Sequence, residues 1–220
     1  MCRFLLIKSQ TAIQPAELLQ KFSAMAKNSK TFDGDWQGDG WGVSWKNENG
    51  WSLKKSLKPI WEDEAVFTII PASTHFLIHA RSASFPHHKD IIEFNQPYIA
   101  GTYAFVFNGL LKGVALPHPV EGKIGAQKIW NILQEYLQNN SPETSLELVK
   151  EYLLKHTKFI QALNIGLSDG VNNYGLCQYG ANPEYYSLHS YRSDSLSLLS
   201  SEPLEGFSFQ KVENGQVVSL

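Results

Sequence analysis

The segment Met1-Cys2-Arg3-Phe4, followed by the apolar run Leu5-Leu6-Ile7, decides how the rest of this chain is organised. A cysteine directly after the initiator methionine becomes the first residue when an aminopeptidase removes Met1, and Cys2 then carries both a thiol and a free α-amine. A thiol with a pKa of about 8.5 is mostly protonated at neutral pH, whereas an α-amine with a pKa of about 8 is partly free to accept its proton. Such a residue is a nucleophile with its own general base. Taken alone, a cysteine at this position is more often an ordinary small apolar residue.

The composition is that of a globular protein. The 220 residues are 43% hydrophobic and 18% charged, which is enough apolar material for a sizeable core. The sequence has no repeat or linker, and we predict a single domain over residues 1–220. The net charge is −2 without a stretch dense in lysine or arginine, which argues against nucleic acid or an acidic membrane as partner. The apolar runs are too short for a signal peptide or a transmembrane helix, so we expect a cytoplasmic protein.

Apolar periodicity and turn signals predict an α+β protein. Helical spacing predicts a helix from Pro15 to Lys27, and a polar loop follows from Asn28 to Gly40. Two more helices are expected around 129–137 and after Ser141, a typical N-cap. The predicted strands are 43–45, 51–56, 75–79, 103–107, 162–167, 173–178, 185–189 and 196–199, with hairpins across Asn49-Gly50 and Asn214-Gly215. Strands, then two helices, then strands indicate helices that cover large sheets.

Two predicted strands end in residues that suit a binding site. Arg81 comes at the end of the apolar strand that begins at 75. An arginine there needs an anion, which is either a ligand carboxylate or a structural ion-pair partner. Asn108-Gly109 follows the strand 103–107, and this dipeptide commonly marks nothing more than a tight turn. At the level of single residues both interpretations stay open.

Four features occur together in the order of one known family: Cys2, Asp39-Gly40-Trp41-Gly42, His79-Ala80-Arg81-Ser82 and Asn108-Gly109. They resemble the class II glutamine amidotransferase domain of the N-terminal-nucleophile hydrolase superfamily, and especially its stand-alone forms that begin Met-Cys-Arg. Two later segments, Leu167-Ser168-Asp169-Gly170 and Ser201-Glu202-Pro203-Leu204, also resemble segments of those proteins. The resemblance therefore spans nearly the whole chain.

The resemblance implies a fold and a set of roles. The fold is the four-layer αββα sandwich, with Cys2 at the end of a central strand. Cys2 is implied to be the nucleophile, and the Asn108 side-chain amide and the Gly109 backbone N–H are implied to form the oxyanion hole. Arg81 is implied to bind the substrate α-carboxylate, with the Ser84 hydroxyl beside it. Residues 39–42 are expected to shape the site rather than to perform chemistry.

The implied reaction is hydrolysis of the γ-carboxamide of glutamine, or of a γ-glutamyl amide, through a γ-glutamyl thioester. The partners are then glutamine or a γ-glutamyl small molecule and, because we expect no second domain that uses ammonia, a separate ammonia-accepting synthase subunit. A plain amidohydrolase needs no such subunit, and no cofactor is implied. A non-catalytic binding or regulatory subunit that keeps the fold is the alternative. The sequence leaves open whether the chain forms a homo-oligomer.

The sequence departs from the family pattern at the expected site of the substrate α-ammonium. The resemblance implies an aspartate where Gly125 stands, and Glu121 is the acid that could replace it from the same loop. Phe107 stands where a histidine usually precedes Asn-Gly. These changes lower the expectation that free glutamine is the substrate. The histidines His79 and His87 have no cluster of cysteines or carboxylates at ligand spacing, so we expect no metal site.

Overall fold

The computed structural model describes residues 1–29, 34 and 36–220, and in these ranges the chain forms four α-helices and twelve strands. The helices are α1 (Ala16–Asn28), α2 (Gly125–Leu137), α3 (Pro142–His156) and α4 (Pro183–Tyr186). The strands are β1 (Arg3–Ile13), β2 (Trp41–Asn47), β3 (Gly50–Ser56), β4 (Ser73–Ala80), β5 (Tyr98–Ala100), β6 (Tyr103–Val114), β7 (Thr157–Ser168), β8 (Asn173–Leu176), β9 (His189–Arg192), β10 (Leu196–Ser200), β11 (Gln210–Lys211) and β12 (Val217–Ser219). Part of the predicted loop from Asn28 to Gly40 lies outside the described residues.

The strands form two antiparallel sheets. The larger sheet has the order β11-β9-β10-β1-β4-β2-β3, and the smaller one has the order β12-β8-β7-β6-β5. Strand β1 lies inside the larger sheet, where it pairs with β4 on one side and β10 on the other. The N-terminus of β1 is therefore held between two neighbours, and Cys2 precedes it directly.

The side chains of β1 alternate between two hydrophobic cores, because successive residues of a strand point to opposite faces. Leu5 and Ile7 pack with α1, whereas Phe4 and Leu6 pack between the two sheets. On the outer face of the smaller sheet, α2 and α3 bury a third core. The layers are thus helix, sheet, sheet and helix, which confirms the predicted αββα sandwich.

The helix boundaries follow from local chemistry. Ser141 caps α3, since its hydroxyl accepts a hydrogen bond from the Thr144 N–H at 3.3 Å and Pro142 occupies the first turn. None of the described helices is both long and apolar enough to cross a membrane.

Strand β6 is longer than the sequence predicted. It continues to Val114, so Asn108-Gly109 lies inside the strand and not at its end. β6 pairs with β7 along most of its length, with a shift of register between Leu110 and Leu111. Such a bulge bends a strand and changes the direction of its side chains. The turn interpretation of Asn108-Gly109 is therefore wrong.

Two predictions in the C-terminal part are also wrong. The segment predicted as strand 185–189 contains the helical turn α4, and the strand β9 begins only at His189. Asn214-Gly215 lies between β11 and β12, but these strands belong to different sheets and form no hairpin. The connection from β11 to β12 crosses from one layer of the sandwich to the other.

Candidate active site

Cys2 lies where β1 begins and β4 ends. The Ser82 N–H points to the Cys2 Sγ at 3.4 Å, and the same sulfur lies 3.6 Å from the Ser82 carbonyl oxygen. Cys2 shares the strand face of Phe4 and Leu6, which is the face between the sheets. The thiol is half-buried and lines a cavity of about 600 Å³, which we call the Cys2 cavity.

Arg3 anchors the N-terminus of β1. Its guanidinium is 1% exposed, donates to the Ser29 hydroxyl at 2.8 Å and the Tyr185 carbonyl at 2.8 Å, and pairs with Glu202 at 3.0 Å. Ser201 fixes the backbone next to it, because its hydroxyl accepts from the Phe4 N–H at 2.9 Å. Sequence patterns alone assign no role to Arg3. Its place directly after Cys2 is the feature that could have indicated one.

Two buried cations lie near Cys2. Burial lowers the pKa of Arg3, while Tyr185, Glu202 and a charge on Cys2 oppose that shift. Burial also lowers the pKa of Arg81, and a charge on Cys2 is the first of the influences that oppose it. Both guanidiniums are therefore placed to interact favourably with a thiolate at Cys2.

The Asp39–Gly42 segment holds the chain that follows β4. The Arg81 N–H donates to the Gly40 carbonyl at 2.8 Å, and the Asp39 N–H donates to the Arg81 carbonyl at 2.9 Å. The Asp39 carboxylate accepts from the Ala83 N–H at 2.9 Å and pairs with Lys89 at 2.9 Å. Gly40 has a φ of +108°, a conformation that glycine adopts without strain. The segment shapes the backbone beside Cys2 through these contacts.

Arg81 lines the Cys2 cavity and is 4% exposed. Its guanidinium donates to the His88 carbonyl at 2.7 Å and to the Asn95 side-chain oxygen at 2.9 Å. Two weaker contacts at 3.4 Å reach the carbonyls of Lys89 and Ile91. Neutral oxygens of the protein thus bind the guanidinium where the resemblance implies the substrate carboxylate. Among the described residues no carboxylate forms an ion pair with Arg81, although Asp39 lies near enough to oppose the lowering of its pKa.

Ser84 lies on the exposed side of the same cavity. It follows Arg81 by three residues, on the segment that the Asp39 carboxylate holds at Ala83. The structure therefore brings Cys2, Arg81 and Ser84, three of the residues that the motifs singled out, to one cavity.

Asn108 is fully buried, and neither polar atom of its side chain has a hydrogen-bond partner among the residues that the structure describes. On β6 it shares the face of Ala104 and Val106, which pack between the sheets, whereas Phe105 and Phe107 face α2 and α3. Asn108 therefore faces the same inter-sheet layer as Cys2. It does not line the cavity itself. A buried amide without a partner is costly, and a catalytic role is one of the explanations for such a group.

Gly109 lines the Cys2 cavity where β6 lies close to β7. A Cβ at this position would lie 2.1 Å from the Ala162 carbonyl oxygen and 2.7 Å from the Phe107 ring. Glycine is thus required by the neighbouring strand.

Gln96 positions β6, a role that the sequence analysis did not assign. Its side-chain oxygen accepts from the Phe107 N–H at 2.6 Å, and its amide nitrogen donates to the Phe107 carbonyl at 3.2 Å. This pair of bonds fixes the residue directly before Asn108. The peptide bond from Gln96 to Pro97 is cis. The Asn-Gln-Pro run of the sequence was a signal for a special loop at this place.

His79 is fully buried on the β4 face that Leu77 shares, opposite Phe4 of β1. Burial lowers the pKa of its imidazole to about 3, although the Phe107 backbone opposes the shift. The ring is therefore neutral at physiological pH. Among the described residues, no three His, Cys, Asp or Glu side chains form a group that could hold a metal ion.

Gly125, at the first turn of α2, also lines the Cys2 cavity. A Cβ built on Gly125 would meet no atom within 4 Å, so the missing side chain leaves open space. Glu121, the acid considered as a substitute, is exposed and is not part of the cavity wall. Its backbone carbonyl accepts from the Asn131 amide at 3.0 Å.

The comparisons with known proteins give a result for structure and none for sequence. No family model matches the chain, and no curated protein gives a significant match. A glutamine aminotransferase class-II domain protein from Silicibacter pomeroyi matches with a TM-score of 0.67 and 16% identity, over 99% of this chain and 94% of its own. Glutamine phosphoribosylpyrophosphate amidotransferase from B. subtilis, solved with ADP and GMP, matches with a TM-score of 0.69 and 12% identity over 99% of this chain.

A third structure, of a predicted glutamine amidotransferase from Pseudomonas aeruginosa, matches with a TM-score of 0.56 and 15% identity, over 99% of this chain and 96% of its own. The chain has the fold of a class II glutamine amidotransferase domain. This confirms, at the level of the fold, the resemblance carried by the motifs. The structural match covers 47% of the B. subtilis enzyme, so this chain spans about half of the length of that protein. At these identities the likeness establishes the fold, and the chemistry has to be argued from the residues.

Proposed function

We propose that this protein is an amidohydrolase in which Cys2 cleaves the γ-carboxamide of glutamine, or a γ-glutamyl amide, through a thioester. The observation that carries the proposal is the Cys2 cavity, which gathers Cys2, Arg81, Ser84 and Gly109 from segments far apart in the sequence. The packing requirement at Gly109 does not by itself explain why Cys2, Arg81 and Ser84 surround the same solvent-accessible space.

Met1 has to be removed before the reaction can take place, because the Cys2 nitrogen is part of a peptide bond until then. The freed α-amine accepts the thiol proton, and the sulfur attacks the amide carbon. The tetrahedral intermediate breaks its C–N bond, and the α-ammonium returns the proton to the leaving nitrogen. Water then attacks the thioester with the same amine as base, which releases the acid and restores Cys2.

The oxyanion of both tetrahedral intermediates requires donors that are already in position. We assign this role to the Asn108 amide and the Gly109 N–H. The support for Asn108 is its buried, unpartnered amide on the inter-sheet face. Gln96 holds Phe107 by two hydrogen bonds and so fixes the strand that carries both donors.

Arg81 supplies the positive charge for the substrate carboxylate, with the Ser84 hydroxyl beside it. In the structure the guanidinium binds neutral oxygens of the segment from His88 to Asn95. A carboxylate is a stronger acceptor than a carbonyl, so we expect the guanidinium to exchange some of these bonds when substrate binds.

The fate of the ammonia distinguishes two versions of this function. A plain hydrolase releases it, whereas an amidotransferase passes it to a separate synthase subunit. One structural neighbour, from B. subtilis, is named as a phosphoribosylpyrophosphate amidotransferase and is about twice as long as the matched part. We propose the plain hydrolase as the basal activity, with a synthase subunit as the partner that would make use of the ammonia.

The test is ammonia release by the purified, processed protein from L-glutamine and from N-acetyl-L-glutamine. We expect release from at least one of them, loss of Met1 in the intact mass, and no release by Cys2→Ala. Cys177→Ala is the matched control, because this second cysteine is buried and lies away from the cavity wall. Equal background release by wild type and Cys2→Ala would favour the non-catalytic binding or regulatory subunit.

A further inference from the structure

The Cys2 cavity has an unusual set of charges. Four cationic side chains line it, and the described residues of its wall include no aspartate or glutamate: the cations are Arg81, Lys112, Lys123 and Lys128. Any ligand with an ammonium group would be repelled by these charges and would find no carboxylate there to offset them. A ligand with a carboxylate would be attracted.

The three lysines lie towards the opening of the cavity. Lys112 and Lys123 are exposed, and Lys128 is half-buried on α2. Among the described residues none of the three forms an ion pair with a carboxylate, although Lys112 lies 5.7 Å from the centre of the Phe159 ring. The positive charge at the opening is therefore not neutralised by the protein.

The remainder of the wall is mainly apolar. Beyond the cysteine the cavity continues between β6 and the helices α2 and α3, along Phe107, Leu110, Leu111, Ile129, Ile132 and Leu153. A volume of about 600 Å³ is in the range of sites for drug-sized ligands and is much more than free glutamine fills. Free glutamine has no apolar group for this surface.

We infer that the substrate is an N-acylated glutamine with an apolar acyl group. This inference rests on the proposed function and names the substrate class of the same site. Acylation removes the charge of the α-amine, which the four cations disfavour, and keeps the carboxylate, which they attract. The acyl chain then occupies the apolar part of the cavity.

The reaction remains a simple hydrolysis. The N-acyl-L-glutamine loses its γ-nitrogen as ammonia when the thioester to Cys2 forms, and water supplies the oxygen of the new γ-carboxylate. The products are N-acyl-L-glutamate and ammonia, and no oxidant or further reactant is needed. The N-acyl bond itself is not cleaved.

The first test compares kcat/KM for ammonia release from L-glutamine and from its N-acetyl, N-butanoyl, N-hexanoyl and N-octanoyl derivatives. Each methylene buried in the cavity should raise kcat/KM by about fourfold, so that the octanoyl compound exceeds L-glutamine by at least about 100-fold. A higher kcat/KM for L-glutamine than for every acylated compound would overturn the inference and leave the proposed function intact.

The second test measures binding without turnover, by calorimetry on the processed Cys2→Ser variant. N-octanoyl-L-glutamine should bind at least about tenfold more tightly than L-glutamine. Tight binding of the acylated compound with no ammonia release by wild type would reject the proposed function and, with it, the assignment of this compound as the substrate. Equal or weaker binding would overturn the inference.

A charge variant isolates the electrostatic part of the argument. Gly125→Asp places a carboxylate in open space on the cavity wall, at the start of α2 where a negative charge is well tolerated. It should raise the ratio of kcat/KM for L-glutamine to kcat/KM for N-octanoyl-L-glutamine, which is the preference measured here, by about tenfold. The control Gly125→Asn has nearly the same size without the charge and should change this preference by less than about threefold. The same change in both variants would contradict the role of charge.

Discussion

Asn108 and Asn164 are opposite each other on β6 and β7, and both are fully buried. They differ in their partners. Asn164 donates to the Tyr186 carbonyl at 2.6 Å and accepts from the Gln178 N–H at 2.9 Å, whereas Asn108 has no partner for either polar atom in the described part of the chain. Asn164 therefore stabilises the fold, whereas the Asn108 amide is the group that we propose as an oxyanion donor.

This pair gives a prediction that separates stability from activity. Asn108→Leu removes two unpartnered polar atoms, so the free energy of unfolding should stay within about 1 kcal/mol of wild type or rise. The rate of ammonia release should fall by about 10²–10³-fold, because an oxyanion donor is lost. Urea denaturation and initial rates on the same preparation measure both.

Asn164→Leu is the matched control at the same depth. It leaves the Tyr186 carbonyl and the Gln178 N–H without their partners, which should cost about 2 kcal/mol or more. If Asn108→Leu destabilised the protein as much as Asn164→Leu, then Asn108 would be a structural residue and not an oxyanion donor.

Strand β6 carries the proposed oxyanion donors, and its geometry depends on Gly109. Gly109→Ala should lower the free energy of unfolding by about 3 kcal/mol, because the new Cβ would lie 2.1 Å from the Ala162 carbonyl oxygen in β7. Gly125→Ala meets no atom within 4 Å and should be neutral, or stabilising by up to about 1 kcal/mol in its helix. Urea midpoints compare the two. Equal midpoints would mean that β6 and β7 can separate at Gly109 without cost.

The elements of the fold were predictable wherever local pattern decides them. β1, α1, the hairpin from β2 to β3 and the cap of α3 follow from apolar periodicity, Asn-Gly and Ser-Pro signals. The continuation of β6 past Phe107 was missed because it depends on pairing with β7, which is distant in sequence. The expected hairpin at Asn214-Gly215 failed for the same kind of reason, since its two arms join different sheets.

For the candidate site, the motifs indicated residues that share one cavity, but they did not indicate the contacts around those residues. Cys2, Arg81 and Ser84 do meet in one cavity, as their motifs indicated. The contacts of the Arg81 guanidinium, the anchoring by Arg3 and the support of β6 by Gln96 depend on loops that meet only in the folded chain. Single-sequence patterns carry no direct signal for such contacts.

At the scale of the whole molecule, buried histidines couple stability to pH. Burial lowers the pKa of His79 to about 3 in the folded protein, whereas an unfolded histidine titrates near its ordinary value of about 6.5. Burial also lowers the pKa values of His75 and His189. At pH values between the two pKa values of His79, the unfolded chain binds more protons than the folded protein does. The contribution to stability is therefore complete above about pH 6.5 and is lost as the pH falls towards 3.

The predicted slope for His79 is about 1.4 kcal/mol per pH unit between pH 6 and pH 4. His79→Leu should reduce the measured slope by about this amount, as determined from urea unfolding at several pH values. His118→Gln is the control: the Pro119 carbonyl and Glu135 raise the pKa of this exposed histidine, so its contribution is lost only as the pH rises. If the slope measured for His79→Leu equalled that of wild type, then His79 would be protonated in the folded protein over this pH range.

The central claim is that Cys2, after removal of Met1, forms a thioester with the γ-carbonyl carbon of the substrate during turnover. The most direct measurement is intact-mass spectrometry of the enzyme after acid quenching in the presence of N-octanoyl-L-glutamine, followed by peptide mapping. We predict a chain without Met1 and an added mass equal to the substrate minus ammonia, on the peptide that begins with Cys2. Burial raises the pKa of the Cys177 thiol, and that residue should stay unmodified. Ammonia release by a chain that retains Met1, or an acyl group on any other residue, would contradict the claim.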